Sequence, residues 1–182
     1  MSHGIIGFDA YEGLFTKAQF QTGKGRTPGS RVTVKKGGTS KEFVAVKLAS
    51  GNWSNGCLVQ LHSAGVTGTA TTVSAGAGVA DVGQSLGILT FSSVSAIQTM
   101  AGTAYGYALV FGEGKAQVAS STVPGMALAL GASAGVLGPY VVDATASAQV
   151  FGINLGTTSA STQAFVPVFV NYPKFIIGPK DD

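Results

Sequence analysis

Charge is scarce in this chain. Asp, Glu, Lys and Arg make up 10% of its 182 residues, against roughly a quarter in an ordinary soluble domain. Cysteine is scarcer still: Cys57 stands alone, which rules out an intramolecular disulfide or a Cys-rich zinc site as the device that holds the fold. Packing must do that. Histidine is limited to His3 and His62, too few for a metal site built on imidazole, and His62 reads as a half-buried strand residue at the end of 58–62. Long apolar runs are missing as well, since 105–111 and 165–170 fall far short of the ~20 residues that a spanning helix needs. The opening Met1-Ser2-His3-Gly4 has no basic start leading into an apolar core, so no secretory signal is expected.

The same poverty extends to catalytic equipment. Eight carboxylates are scattered: Asp9 and Glu12 near the start, Asp181 and Asp182 at the end, and Glu42, Asp81, Glu113 and Asp143 at loops or strand ends. A glycosidase pair would have to be assembled from Glu113 and Asp143, which their sequence context does not suggest. Gly23-Lys24-Gly25-Arg26 and the stretch 112–115 lack the preceding strand, full spacing and following helix of a phosphate-cradling loop, and read as turns with solvated charge. No Gly-x-Ser-x-Gly elbow precedes a helix. The expectation is a protein that is not an enzyme and carries no cofactor and no metal.

What the chain does have is Gly, Ala, Ser and Thr in place of charge, and a hydrophobic fraction of 45%, enough to bury a real core. Its charge is also unevenly placed. Residues 1–50 hold Lys17, Lys24, Arg26, Arg31, Lys35, Lys36, Lys41 and Lys47 against Asp9, Glu12 and Glu42, a net of +5, whereas residues 51–170 hold Lys115 against Asp81, Glu113 and Asp143, a net of −2.

Along the chain, residues 1–20 mix glycine with Ile5, Ile6, Phe8, Tyr11, Leu14, Phe15 and Phe20, too broken for a long helix and too apolar to stay uncovered. Residues 22–30 form a Gly- and Pro-rich basic loop. Strands are expected over 31–35 and 43–48 around a hairpin at 36–40, over 57–62 after a turn at 50–56, and over 86–91. Residues 105–111 and 116–119 read as a strand pair joined by a tight turn at 112–114. Residues 94–100 are the best candidate for a short helix. Further strands follow at 124–130, 138–142, 150–155 and 165–170, and Pro167 argues for a sheet edge or a bulge because proline cannot donate to the ladder. Strands at this spacing, with Gly-rich turns, indicate an all-β barrel or sandwich of short antiparallel strands with an extended N-terminal arm. The expected organisation is an arm and basic loop over 1–30 and a β domain over 31–182, with a candidate division near 120.

From about Val123 onward, Pro124-Gly-Met-Ala-Leu-Ala-Leu-Gly-Ala-Ser-Ala-Gly-Val-Leu-Gly138, Asp143-Ala-Thr-Ala-Ser-Ala148, 150–155 and 165–170 resemble small decoration or cement proteins of tailed-bacteriophage heads. The resemblance implies a structural virion protein that is made in the host cytoplasm, binds the outside of the capsid and stabilises the shell. It implies the major capsid protein as partner, met by Lys17, Lys24, Arg26, Arg31, Lys35 and Lys36, with Ile5, Ile6, Phe8, Tyr11 and Phe15 as apolar arm contacts. The weakly charged middle of the chain suits self-association into a dimer or trimer, with no membrane partner. Two rivals use the same residues differently. A carbohydrate- or small-ligand-binding β-barrel would stack its ligand on Trp53, Tyr105 and Tyr107. A virion nucleic-acid-binding protein would use the basic loop, although Phe15, Phe20, Phe43 and Trp53 lack the paired stacking platform of a single-strand binder.

Overall fold

β-Branched and apolar residues interrupted by glycine yield strands almost throughout. The computed structural model describes residues 16–20, 27–36, 38–48, 51–61, 69–72, 85–90, 97–100, 103–131, 133, 135–140, 148–157 and 164–176. Its strands are β1 (Arg31–Lys36), β2 (Thr39–Leu48), β3 (Gly51–Ser54), β4 (Leu58–Leu61), β5 (Thr69–Thr72), β6 (Ser85–Leu89), β7 (Ile97–Met100), β8 (Ala104–Val118), β9 (Ala127–Leu130), β10 (Leu137–Pro139), β11 (Ala148–Asn154) and β12 (Ala164–Ile176). The one helical element among the described residues is the turn α1 (Lys17–Gln19). The fold is all-β, with a closed barrel and additional strands.

Strand pairing runs in two circuits that share β8. In the first, β2 pairs with β5, β5 with β4, β4 with β6, β6 with β8, and β8 returns to β2. In the second, β8 touches β10 through Val118 and Leu137, and the circuit continues through β9, β11 and β12 back to β8. β1 is added to the first circuit as an antiparallel hairpin with β2, from Lys36 opposite Thr39 to Arg31 opposite Val44. Gly38, the second of the two glycines in that hairpin, takes φ +83°, a left-handed conformation that costs glycine no Cβ clash.

β8 runs unbroken through the expected turn at 112–114. Residues 104–111 pair with β2, and residues 111–118 pair with β12. The glycines mark a bend and not a reversal. Opposite β2 the register slips, Glu42 facing Phe111 while Phe43 faces Leu109, so Val110 is the extra residue of a bulge. Gly112 adopts φ +106°, and a Cβ there would lie 2.7 Å from the carbonyl oxygen of Ser40 and 3.1 Å from the Cα of Lys41. The slip also changes which residues face the larger core: Tyr107 and Leu109 before it, Ala116 and Val118 after it.

Three further expectations are corrected. Residues 97–100, assigned to the candidate helix 94–100, form β7, paired antiparallel with β3 so that Trp53 faces Gln98; β-branched Ile97 and Thr99 fit a two-stranded ribbon better than a helical turn. The expected turn at 50–56 accordingly contains strand β3, and the turn proper is confined to its last residues, Asn55 and Gly56. Pro167 lies neither at an edge nor at a bulge, because β12 is flanked by β8 and β11. Its carbonyl accepts from the Leu155 N–H at 2.9 Å, so its nitrogen faces the same side, at the last rung of the β11 ladder, where the missing N–H forfeits only a terminal bond.

Two buried clusters fill the fold. One contains Val44, Val46, Leu48, Trp53, Cys57, Val59, Leu61, Leu89, Ala104, Ala108 and Val110, drawn from the inward faces of the first circuit and capped by Trp53 of the β3–β7 ribbon. The other joins Phe20, Phe43, Ala45, Tyr107 and Leu109 to Val118, Leu128, Leu137, Phe151 and Val166 through Val170 on alternate positions. Residues 106–110 of β8 are therefore buried on both faces, the pattern of a strand enclosed by layers on either side.

Candidate interaction surface

Among the described residues ahead of β1, the turn at residues 16–20 packs against the barrel. Thr16 and Gln19 form a capping box, in which the Thr16 side chain accepts from the Gln19 N–H and Gln19 reaches back to the Thr16 N–H, satisfying two donors left free at a helix start. The turn delivers Phe20, which is buried and packs against Tyr105 and Tyr107 with ring centroids 5.3 and 5.4 Å away. Lys17, on the same turn, is exposed.

β1 supplies the basic face. Its residues alternate, with Val32 and Val34 buried in the core and Arg31, Thr33 and Lys35 exposed, as the two-residue period of a strand dictates. Arg31 is not wholly available to a partner, because its Nη1 donates to Glu42 Oε1 at 2.7 Å across the hairpin. Lys35 carries its charge on the same face, opposite Ser40. Lys36 is the last residue of β1, paired through its backbone with Thr39. Of the other basic-loop and arm positions, Lys24, Arg26, Ile5, Ile6, Phe8, Tyr11 and Phe15 lie outside the described residues, as does Asp143.

The three aromatics of a stacking platform are not brought together. Trp53 is buried in the core of the first circuit, whereas Tyr107, buried, and Tyr105, half-buried, both pack against Phe20 in the other cluster. Glu113 is exposed on β8. The Cys57 thiol is buried and its pKa is pushed up to about 12, chiefly by loss of hydration, so it is a protonated core residue at neutral pH and not a nucleophile.

A second surface was not singled out by the sequence. On β12, Val166, Val168 and Val170 point into the core, so Phe165, Pro167 and Phe169 point out. Ile153 of β11 pairs with Phe169, and Leu155 bonds to Pro167, which sets both beside these residues on the same outer face. Phe165, Ile153 and Leu155 remain 44–45% exposed, and Val123, in the turn bonded to Asn154 through Gly125 N–H, is 55% exposed. Across β8, Glu113 and Lys115 face Phe169 and Pro167. The Lys115 ammonium lies 5.8 Å from the Phe165 ring centroid, and Phe111 meets Phe169 edge to face at 5.6 Å. The signal available in the sequence was the unbroken apolar run 165–170, which is more than a one-sided strand needs. Comparison with known proteins returns no match: no family model, no curated protein and no solved structure corresponds to this chain.

Proposed function

We propose that the chain is a structural assembly protein that binds the outside of a bacteriophage capsid and stabilises the shell, with the major capsid protein as its partner. The observation that carries the reading is the exposed basic face of β1, Arg31 and Lys35, beside the short turn anchored by Phe20. Behind it stands a nearly neutral body with little charge to bias contacts elsewhere. Such a face meets an acidic patch on a lattice, where charge complementarity sets registration and the rate of encounter more than affinity. Many copies on one shell then turn modest contacts into a firm assembly by multivalency. Arg31 already has Glu42 as an ion-pair partner, so Lys35 contributes more of the attraction than Arg31 does.

The test is rebinding to undecorated capsids. Purified protein is expected to bind them and to raise the temperature at which they open, and reversing charge at Lys24, Arg26 and Lys35 together is expected to abolish binding. Retention of full binding by that triple variant overturns the assignment of the basic region. Binding of duplex DNA that weakens steeply with salt, without capsid binding, replaces the reading with a nucleic-acid one.

A further inference from the structure

The outer face of the β8–β12–β11 sheet is apolar where a one-sided antiparallel sheet is ordinarily polar. Phe111, Phe165, Pro167 and Phe169 run along it, with Ile153 and Leu155 beside them. Phe165, Ile153, Leu155 and the neighbouring Val123 expose 44–55% of their surface, large apolar side chains gathered on one face and not scattered singly. The Phe165 ring lies over Gly56, where a Cβ would meet it and would stand 2.9 Å from the Ala116 Cα.

The charges on this face bear on what fits it. Glu113 and Lys115 are two residues apart on the same face of β8, roughly 7 Å along the strand. Glu113 has no ion-pair partner among the described residues. One acid and one base beside an apolar strip make a surface that is neutral in sum and complementary to itself. A uniformly acidic or basic partner gains nothing from it, whereas a second copy does. A twofold axis lying between two such sheets and crossing β8 near Gly114 sets each Glu113 against the partner's Lys115 while the aromatic strips meet face to face.

We infer that this face pairs two copies of the chain in an isologous sheet-on-sheet dimer, with Phe165, Phe169, Ile153 and Leu155 at its centre and reciprocal Glu113–Lys115 contacts at its rim. The inference goes beyond the capsid reading and does not depend on it, since the basic face of β1 plays no part.

Sedimentation equilibrium on the full chain tests it. The wild type is expected at twice the monomer mass, and Ile153→Lys is expected to raise the dissociation constant at least a hundredfold with circular dichroism unchanged, because Ile153 is exposed in the monomer. Glu113→Lys alone and Lys115→Glu alone are each expected to weaken association at least tenfold. The double exchange, Glu113→Lys with Lys115→Glu, is expected to restore it, because only a self-complementary interface keeps its pairs when both signs reverse. A wild type that remains monomeric, an assembly of another stoichiometry, a dimer untouched by Ile153→Lys, or a double exchange no better than the single variants each overturns the proposal.

Discussion

Replacing Gly112 by alanine tests the central architectural feature, the continuous strand β8. A Cβ at that position would approach the Ser40 carbonyl oxygen to 2.7 Å and the Lys41 Cα to 3.1 Å, at a backbone φ of +106°. The left-handed backbone costs a side-chain-bearing residue about 1–2 kcal/mol. Forcing a methyl against paired backbone that cannot swing aside adds about 1–3 kcal/mol, and the stiffer unfolded chain offsets about 0.4–1 kcal/mol. The net loss is about 3 kcal/mol, which for a domain of this size lowers Tm by about 6–12 °C. Gly38→Ala is the matched control. It shares the positive φ, +83°, but has nothing within 4 Å of the added Cβ, so only about 1 kcal/mol and about 2–4 °C are expected. The assay is thermal unfolding followed by circular dichroism, with both variants at the same protein concentration so that association does not enter. If Gly112→Ala melts within about 2 °C of Gly38→Ala, β8 does not pass against β2 at that point and the two-circuit arrangement fails.

Other consequences are open to measurement. The Cys57 thiol, held up to about 12 from 9.0 by burial, keeps in the folded state a proton that the unfolded chain releases. Stability is therefore intact below pH 9 and falls as pH rises from 9 toward 12, with a slope approaching about 1.4 kcal/mol per pH unit; Cys57→Ala is expected to remove this component in urea titrations, and an unchanged slope refutes it. The same thiol should resist alkylation at neutral pH until denaturant is added. Phe20→Ala deletes a buried ring beside Tyr105 and Tyr107, a loss of about 3–5 kcal/mol if the whole site is cut away, and is expected to open the turn at residues 16–20 to limited proteolysis well before the barrel. Arg31→Ala breaks an ion pair whose arginine is 57% exposed, so it should cost under about 1 kcal/mol and less still at high salt; a larger, salt-independent loss would mean that the stem of Arg31 packs as well as pairs.

Much of the strand framework was legible because it rests on local chemistry. The hairpin of β1 and β2, and the pair β9 and β10 around 131–136, follow from alternating or apolar runs bounded by glycine. What failed were the places where glycine and proline have two physical meanings. Gly112 and Gly114 signal a turn to any local reading, yet here they permit a bulge and a close approach to β2 and Leu109. Pro167 signals an edge, yet a terminal rung inside the sheet tolerates it equally. Residues 97–100 hold too few side chains to set a period, and their partner, β3, lies far back in the chain. The surface was harder still. The run 165–170 is apolar at every position, so the two-residue period could not say which half faces the core, and only the pairing with β8 and β11 separates Val166, Val168 and Val170 from Phe165, Pro167 and Phe169. The basic face of β1 was visible as alternating charge, but the ion pair that engages Arg31 depends on the hairpin register.

The sharing of β8 between the two circuits also sets an order in time. Beyond β1 and β5, β2 must wait for the partner that closes its circuit, about 60 residues further along the chain, a separation that slows closure by loop entropy, and the second circuit cannot close until β12 arrives to pair with the far end of that same strand. On a chain emerging from its N-terminus, β1, β2, β4, β5 and β6 therefore precede the one strand that can complete their barrel. Residues 104–118 act as a keystone: until they are laid, neither circuit holds its shape, and once they are, the unravelling of one exposes an edge of the other. Thermal unfolding of the two should accordingly be a single cooperative event and not two separable ones.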